Sequence, residues 1–113
     1  MSLTAQSLQV LDMLDNIIGL YAESRAGNDK GKIFIIVKVE NEYAWIADGK
    51  SRSIEKPKRK NLKHLIIYKN RSAGTLTVTA GELREKLLDN KPIRNEDVKY
   101  VLERFKRICQ SQI

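Results

Sequence analysis

The segment from Ser24 to Lys32, SRAGNDKGK, combines glycine with positive charge. Gly27 and Gly31 lie four residues apart, and Lys30 and Lys32 stand on either side of Gly31. Glycine lets a ligand approach the backbone closely, and amides in such turns can form a concave site for an anion. The pattern therefore suits the binding of a phosphate, whose charge the two lysines would neutralise.

A simple hairpin turn explains part of the same segment. Gly27, Asn28 and Gly31 can adopt the positive φ that a tight connection needs, and Asp29 can accept hydrogen bonds from amides within the turn. Lysine is also common in exposed turns. We therefore keep both interpretations, a plain turn and a turn that contacts an anion.

A second basic stretch, here called the basic segment, follows at residues 49–71. It contains nine Lys/Arg and one acid, Glu55. The whole chain carries +7, so the remaining residues are close to neutral. Phosphate contacts tolerate irregular spacing, and such clustering favours a nucleic acid as partner. Two alternatives are a charged sheet edge that discourages aggregation and, in a eukaryotic cell, a localisation signal.

The sequence offers no set of residues for catalysis or metal binding. His64 is the single histidine and Cys109 the single cysteine, so neither a disulfide within the chain nor a multi-cysteine metal site is possible. Glu96 and Asp97 fall in the first turn of a predicted helix, where capping explains them. We expect a binding protein without cofactor or metal rather than an enzyme.

The hydrophobic pattern predicts a fold of the α+β class. Runs rich in β-branched residues and bounded by turn signals predict five short strands, at 19–24, 33–39, 43–47, 52–55 and 65–68. Short strands joined by tight turns favour a small, strongly bent barrel. Periodic apolar residues and capping signals predict an N-terminal helix over 2–18 and C-terminal helices over 79–89 and 95–109, the last capped by Asn95. Ile17–Tyr21 can instead belong to the first strand, and we expect the N-terminal helix to end near Asn16.

Trp45 lies on one face of the third predicted strand together with Tyr43 and Ala47. It can stack on a base, fill the barrel or pack against a helix. We expect it in the core.

The stretch from Gly19 to Tyr68 resembles the KOW motif of ribosomal proteins and of NusG-type elongation factors. The resemblance rests on Arg25-Ala26-Gly27, Asp29-Lys30-Gly31-Lys32, the β-branched strand that follows, Ala47-Asp48-Gly49 and Lys63-His64-Leu65. Many KOW motifs have a further glycine where this chain has Phe34. That difference favours the short bacterial KOW-domain proteins, which are related to a KOW-containing large-subunit ribosomal protein of archaea and eukaryotes.

The resemblance implies an SH3-like five-stranded β-barrel that binds RNA, at residues 19–70. The predicted N-terminal helix at 1–18 and the C-terminal helical extension at 71–113 lie outside the resemblance, which does not define a cellular role. We expect the RNA to be ribosomal RNA, with ribosomal proteins as further partners and a role in translation. Together with the charge pattern, the resemblance gives these candidate RNA-binding residues: Arg25, Gly27, Lys30, Gly31, Lys32, Lys50, Arg52, Lys56, Lys58, Arg59, Lys60, Lys63 and His64.

A protein-interaction adaptor is the alternative function, because SH3-like barrels also bind proteins and two C-terminal helices can present an apolar groove. The longest apolar runs are far shorter than the roughly 20 residues that span a bilayer, and the N-terminus has no signal-peptide pattern. We therefore expect a soluble, cytoplasmic protein without membrane contact. The sequence leaves the oligomeric state and the identity of the RNA open.

Overall fold

A computed structural model describes residues 17–68 and 82–110, and it confirms an α+β fold with five antiparallel strands. The strands are β1 (Tyr21–Ser24), β2 (Ile33–Glu40), β3 (Tyr43–Ala47), β4 (Lys58–Asn61) and β5 (Leu65–Tyr68). Two helices follow, α1 (Glu82–Leu88) and α2 (Asn95–Gln110), close to the predicted C-terminal pair. Single 3-10 turns occupy Gly27–Asp29 and Leu62–His64.

The strands form one open sheet in the order β4-β3-β2-β1-β5. β4 and β5 lie at opposite edges, and residues 17–68 contain no ladder between them, so the predicted closure into a barrel is not seen. The 3-10 turn at 62–64 connects the two edges. Both ends of this turn are hydrogen-bonded to residues next to other strands. Leu62 N–H donates to the carbonyl of Glu42, just before β3, at 2.8 Å, and Arg25 N–H, just after β1, donates to the His64 carbonyl at 2.8 Å.

The strand predicted at 52–55 is wrong, and the fourth strand lies in the basic segment at Lys58–Asn61 instead. The Asp48 carboxylate accepts the backbone N–H groups of Lys50 at 2.8 Å and Arg52 at 2.9 Å. A side chain that takes these amides competes with a strand ladder and favours a turn. Pairing with β3 therefore begins only after Pro57, where Lys58 lies opposite Ile46.

The sheet buries apolar side chains on both faces because successive strand residues point to opposite sides. One face forms the first core, to which neither α1 nor α2 contributes, and it is built mainly from Ala22, Phe34, Ile36, Ala44 and Ile46. The other face packs against the helices, and its core contains Tyr21, Ile35, Leu83, Val98, Leu102 and Phe105. The rings of Tyr21 and Phe105 stack with centroids 4.0 Å apart, so α2 is attached to the sheet by an extended apolar contact.

Two predicted elements lie partly or wholly outside the described residues. These are the N-terminal helix, of which only residues 17 and 18 are described, and the start of the first C-terminal helix at 79–81. Residues 17–19 form a turn, and Ile17 is buried in the first core. α1 ends at Leu88, one residue before the predicted end, and α2 begins at Asn95 as predicted.

Candidate nucleic-acid interface

The glycine turn, residues 24–32, adopts the backbone conformation expected of it. Gly27 and Gly31 have φ values of 76° and 87°, in the region that favours glycine. Three of the turn's amides are used within the turn: Lys30 N–H donates to Gly27, Gly31 N–H to Ser24 and Lys32 N–H to Asp29, at 3.2, 2.8 and 2.9 Å. These three amides are therefore used within the protein and are not free to bind an anion.

Asp29 has a different role from the one predicted. Its side chain is buried and accepts a hydrogen bond from Lys58 Nζ at 2.7 Å, and Arg52 Nη2 lies 3.5 Å from the same carboxylate. The hydrogen bond from Lys58 lowers the pKa of Asp29 against the opposing effect of burial, and the charge of Arg52 lowers it further. Asp29 therefore connects the glycine turn to the basic segment through charge.

Lys60 is the most buried cation of the basic segment, with 8% of its surface exposed. Its Nζ donates to the Ala26 carbonyl at 2.6 Å. Burial lowers the pKa of Lys60, and the nearby charge of Lys58 adds to this effect. We call Asp29, Arg52, Lys58 and Lys60 the Asp29 cluster. Three predicted RNA-binding residues thus have a structural role that the sequence analysis did not predict.

The other predicted cations face solvent. Arg25, Lys30, Lys32, Lys50, Lys56, Arg59 and Lys63 are all exposed. His64 is half-buried and contributes its carbonyl to the backbone bond with Arg25. The exposed cations come from the glycine turn and from the basic segment. The Asp29 cluster holds these two parts of the chain next to each other.

Trp45 lies in neither of the two cores, so its expected core position is wrong. It is half-buried on the face of β3 that also carries Tyr43, opposite the face of Ala44 and Ile46. Lys38 Nζ lies 4.7 Å from the Trp45 ring centroid, and the Arg59 guanidinium lies 4.7 Å from that of Tyr43. These cation–π contacts order two exposed cations beside aromatic rings.

The β3–β4 loop, residues 48–57, is attached to the start of α2 by contacts that the sequence analysis missed. Asn95, predicted as a helix cap, instead accepts Ile54 N–H at 2.9 Å and donates to Glu55 at 3.0 Å, which lowers the pKa of Glu55. Gly49 has φ 78°, and a Cβ there would collide with the Asn95 carbonyl oxygen. The only sequence signals that pointed to these contacts were the Asp48-Gly49 turn and Asn95.

No three His, Cys, Asp or Glu residues in the described parts of the chain are grouped so that they could hold a metal ion. Over the same residues, no helix has both the length and the apolar character needed to cross a membrane. Comparison with known proteins gave no matching family model and no significantly similar curated protein.

Proposed function

We propose that this chain is an RNA-binding protein of the KOW type, with ribosomal RNA as its ligand. The observation that carries the proposal is the contact between the glycine turn and the basic segment. Lys58 and Lys60 reach Asp29 and the Ala26 carbonyl, so cations separated by about thirty residues in the chain come to one end of the sheet. A phosphate backbone needs such a continuous positive surface.

The strand order supports an SH3-like assignment of the 19–70 region. β1 to β4 are consecutive antiparallel neighbours, and β5 returns to the free side of β1. The strands are short, and the sheet face away from α1 and α2 buries its own apolar core, as a small, strongly bent sheet does. On this view the open sheet has an SH3-like strand order, and the 3-10 turn at 62–64 connects its two edge strands.

The chemistry assigned to the surface is electrostatic. Lysine amines neutralise phosphates as point charges, whereas Arg25 and Arg59 can form bidentate contacts with their planar guanidinium groups. The Asp29 cluster contributes by holding these groups in place, not by touching RNA. Binding should then fall with salt, by about 0.7 to 0.9 in log affinity per phosphate contact for each log unit of salt.

The decisive experiment is crosslinking of the protein to RNA in its own cells, followed by sequencing of the recovered RNA. The test variant is Lys56→Glu/Arg59→Glu/Lys63→Glu, which changes only exposed cations. Its control is Lys86→Glu/Lys91→Glu/Arg104→Glu, with the same charge change on the C-terminal helices and their connection. We expect the wild type and the control to recover the same single region of ribosomal RNA, and the test variant to lose it.

Salt titration of the purified proteins completes this test. A labelled fragment of the recovered RNA should bind the wild type with a steep salt dependence and the test variant with a shallower one. Absence of any RNA enriched above background, or binding that salt does not weaken, would contradict the proposal.

A protein-interaction adaptor is the second candidate, favoured by large apolar side chains exposed on the helices. Tyr100 is 61% exposed on α2, and Leu88 is 43% exposed at the end of α1. An adaptor would keep its protein partner when Lys56, Arg59 and Lys63 are changed to glutamate, and would lose it in Leu88→Ser/Tyr100→Ser. The two candidates therefore give opposite results with the same set of variants.

A further inference from the structure

A groove of about 600 Å³ lies between the glycine turn, the β3–β4 loop and helix α2. Four lysines line it, two from the loops and two from the helix: Lys32, Lys50, Lys99 and Lys106. The sequence analysis connected only the first two with RNA. The tertiary structure brings all four to one groove.

The four lysine amines have no hydrogen bond or ion pair with any other residue that the structure describes. This contrasts with the Asp29 cluster, whose lysines each have a protein partner. Two carboxylates also line the groove. The carboxylate of Asp48 accepts the N–H groups of Lys50 and Arg52 and the Ser51 hydroxyl, and Glu103 lies exposed on α2. The groove keeps an excess of positive charge.

The helix wall of the groove has a fixed position. Lys99 and Lys106 are seven residues apart, which places them on one side of α2 and about 10 Å apart along its axis. Leu102, between them, is buried in the core that joins α2 to the sheet. Asn95 and the close approach at Gly49 attach the same helix to the β3–β4 loop. The helix wall and the loop wall of the groove are therefore already in position before a ligand binds.

The groove also has an apolar floor. Ile33 and Leu102 line it between the lysines, and both belong to the core under the helices. A nucleotide has the matching chemistry, with charged phosphates for the rim and a less polar sugar face for the floor. Lys32 belongs to both the glycine turn and the groove, so the groove continues the positive surface of the turn.

We propose that this groove binds the sugar-phosphate backbone of an RNA strand, and that α2 is a wall of the RNA site. The inference rests on the proposed RNA binding and adds a segment outside the KOW-like region to the site. The RNA strand continues from the glycine turn into the groove, where Lys99 and Lys106 contact its phosphates. Lys32 and Lys50 contact the strand from the opposite wall.

The test compares two pairs of substitutions on the same helix. Lys99→Gln/Lys106→Gln removes the two groove amines, and Arg104→Gln/Arg107→Gln removes two exposed charges outside the groove. Both change the net charge equally and keep a long polar side chain. Affinity is measured by fluorescence anisotropy over a range of salt, with labelled uridine homopolymer and a labelled digest of ribosomal RNA as probes.

We expect the groove pair to weaken binding about tenfold or more and to reduce the salt slope by about 1.5, as two lost phosphate contacts require. The arginine pair should keep the wild-type slope. Circular dichroism and melting temperature report on folding, and Lys50→Gln on the loop wall repeats the test if the helix pair does not fold.

Each other outcome overturns the inference, and the outcomes are distinguishable. Equal losses in both pairs mean that only net charge matters. Normal RNA binding by the groove pair removes α2 from the site but leaves the proposed function intact. If the groove pair keeps RNA binding but loses binding of labelled poly-glutamate, measured as a third probe in the same anisotropy assay, the groove is a site for an acidic protein. If neither RNA probe binds the wild type, the proposed function and this inference fail together.

Discussion

The Asp29 cluster and the lysine groove are both rich in cations and use neighbouring loops, yet their cations have opposite surroundings. In the cluster, Lys58 and Lys60 are bonded to a buried carboxylate and a backbone carbonyl. In the groove, the four lysine amines have no partner among the described residues. The comparison shows that the count of positive charge does not separate cations bonded within the protein from cations without a protein partner, whereas burial and bonding partners do.

β4 shows the same difference within three consecutive residues. Lys58 and Lys60 belong to the Asp29 cluster, whereas Arg59 between them is exposed and lies over the Tyr43 ring. Strand residues alternate between the two faces of a sheet, so one basic run supplies both structural and solvent-facing cations. Substitution of the entire run would therefore confuse loss of folding with loss of binding.

The largest effect should come from reversing a charge in the Asp29 cluster. Lys60→Glu places a carboxylate against the Ala26 carbonyl and near Asp29, and we expect a loss of about 4 kcal/mol in the free energy of unfolding, measured by urea denaturation. Lys60→Met, which removes the buried charge and keeps the stem, should cost only about 1 kcal/mol.

The neighbouring residue provides the matched control. Arg59→Glu should change the free energy of unfolding by about 0.5 kcal/mol, since only an exposed cation–π contact is lost. A similar loss for Lys60→Glu and Arg59→Glu would mean that the two residues do not differ in structural role.

Two glycines test how much the close approach of the β3–β4 loop to α2 stabilises the fold: Gly49 lies at this approach, and Gly31 lines the groove away from it. Gly49→Ala adds a Cβ that collides with the Asn95 carbonyl in a positive-φ position, so we expect a loss of about 3 kcal/mol. Gly31→Ala meets no atom within 4 Å and carries only the backbone penalty, about 1 kcal/mol. Thermal melting of both variants ranks the two positions, and an equal cost would exclude the close approach as a determinant of stability.

A smaller effect, with a defined pH dependence, should follow from Asp29→Asn. Loss of the charged hydrogen bond to Lys58 should cost about 2 kcal/mol at neutral pH. The folded-state pKa of Asp29 lies below its usual value of 3.8, so the stabilisation is complete above that value and is lost as the pH falls through the lowered pKa. The wild type and the variant should therefore converge in stability in acid.

Urea denaturation from neutral to acid pH measures this convergence. Glu40→Gln, which removes an exposed ion pair with Lys38 at 3.5 Å, is the control and should cost little at any pH. A difference between wild type and Asp29→Asn that does not shrink below pH 4 would show that the carboxylate charge is not what stabilises the turn.

Local patterns in the sequence predicted the elements that depend on local physics. β2 and β3 follow from β-branched and alternating residues, α2 from its apolar period, and the positive φ of Gly27 and Gly31 from the turn composition. The fourth strand was misplaced because the Asp48 side chain takes backbone amides that a ladder would need. That competition depends on one carboxylate and leaves no periodic signal.

By itself, the sequence determined the fold class, the main strands and helices, and the concentration of charge in residues 49–71. Only the tertiary structure decided which of the described cations are bonded within the protein and which face solvent. That division depends on distances between residues far apart in the chain, such as Asp29 with Lys58 or Lys32 with Lys106. Composition and spacing do not contain those distances, because they are set by how the sheet curves and where α2 packs on it.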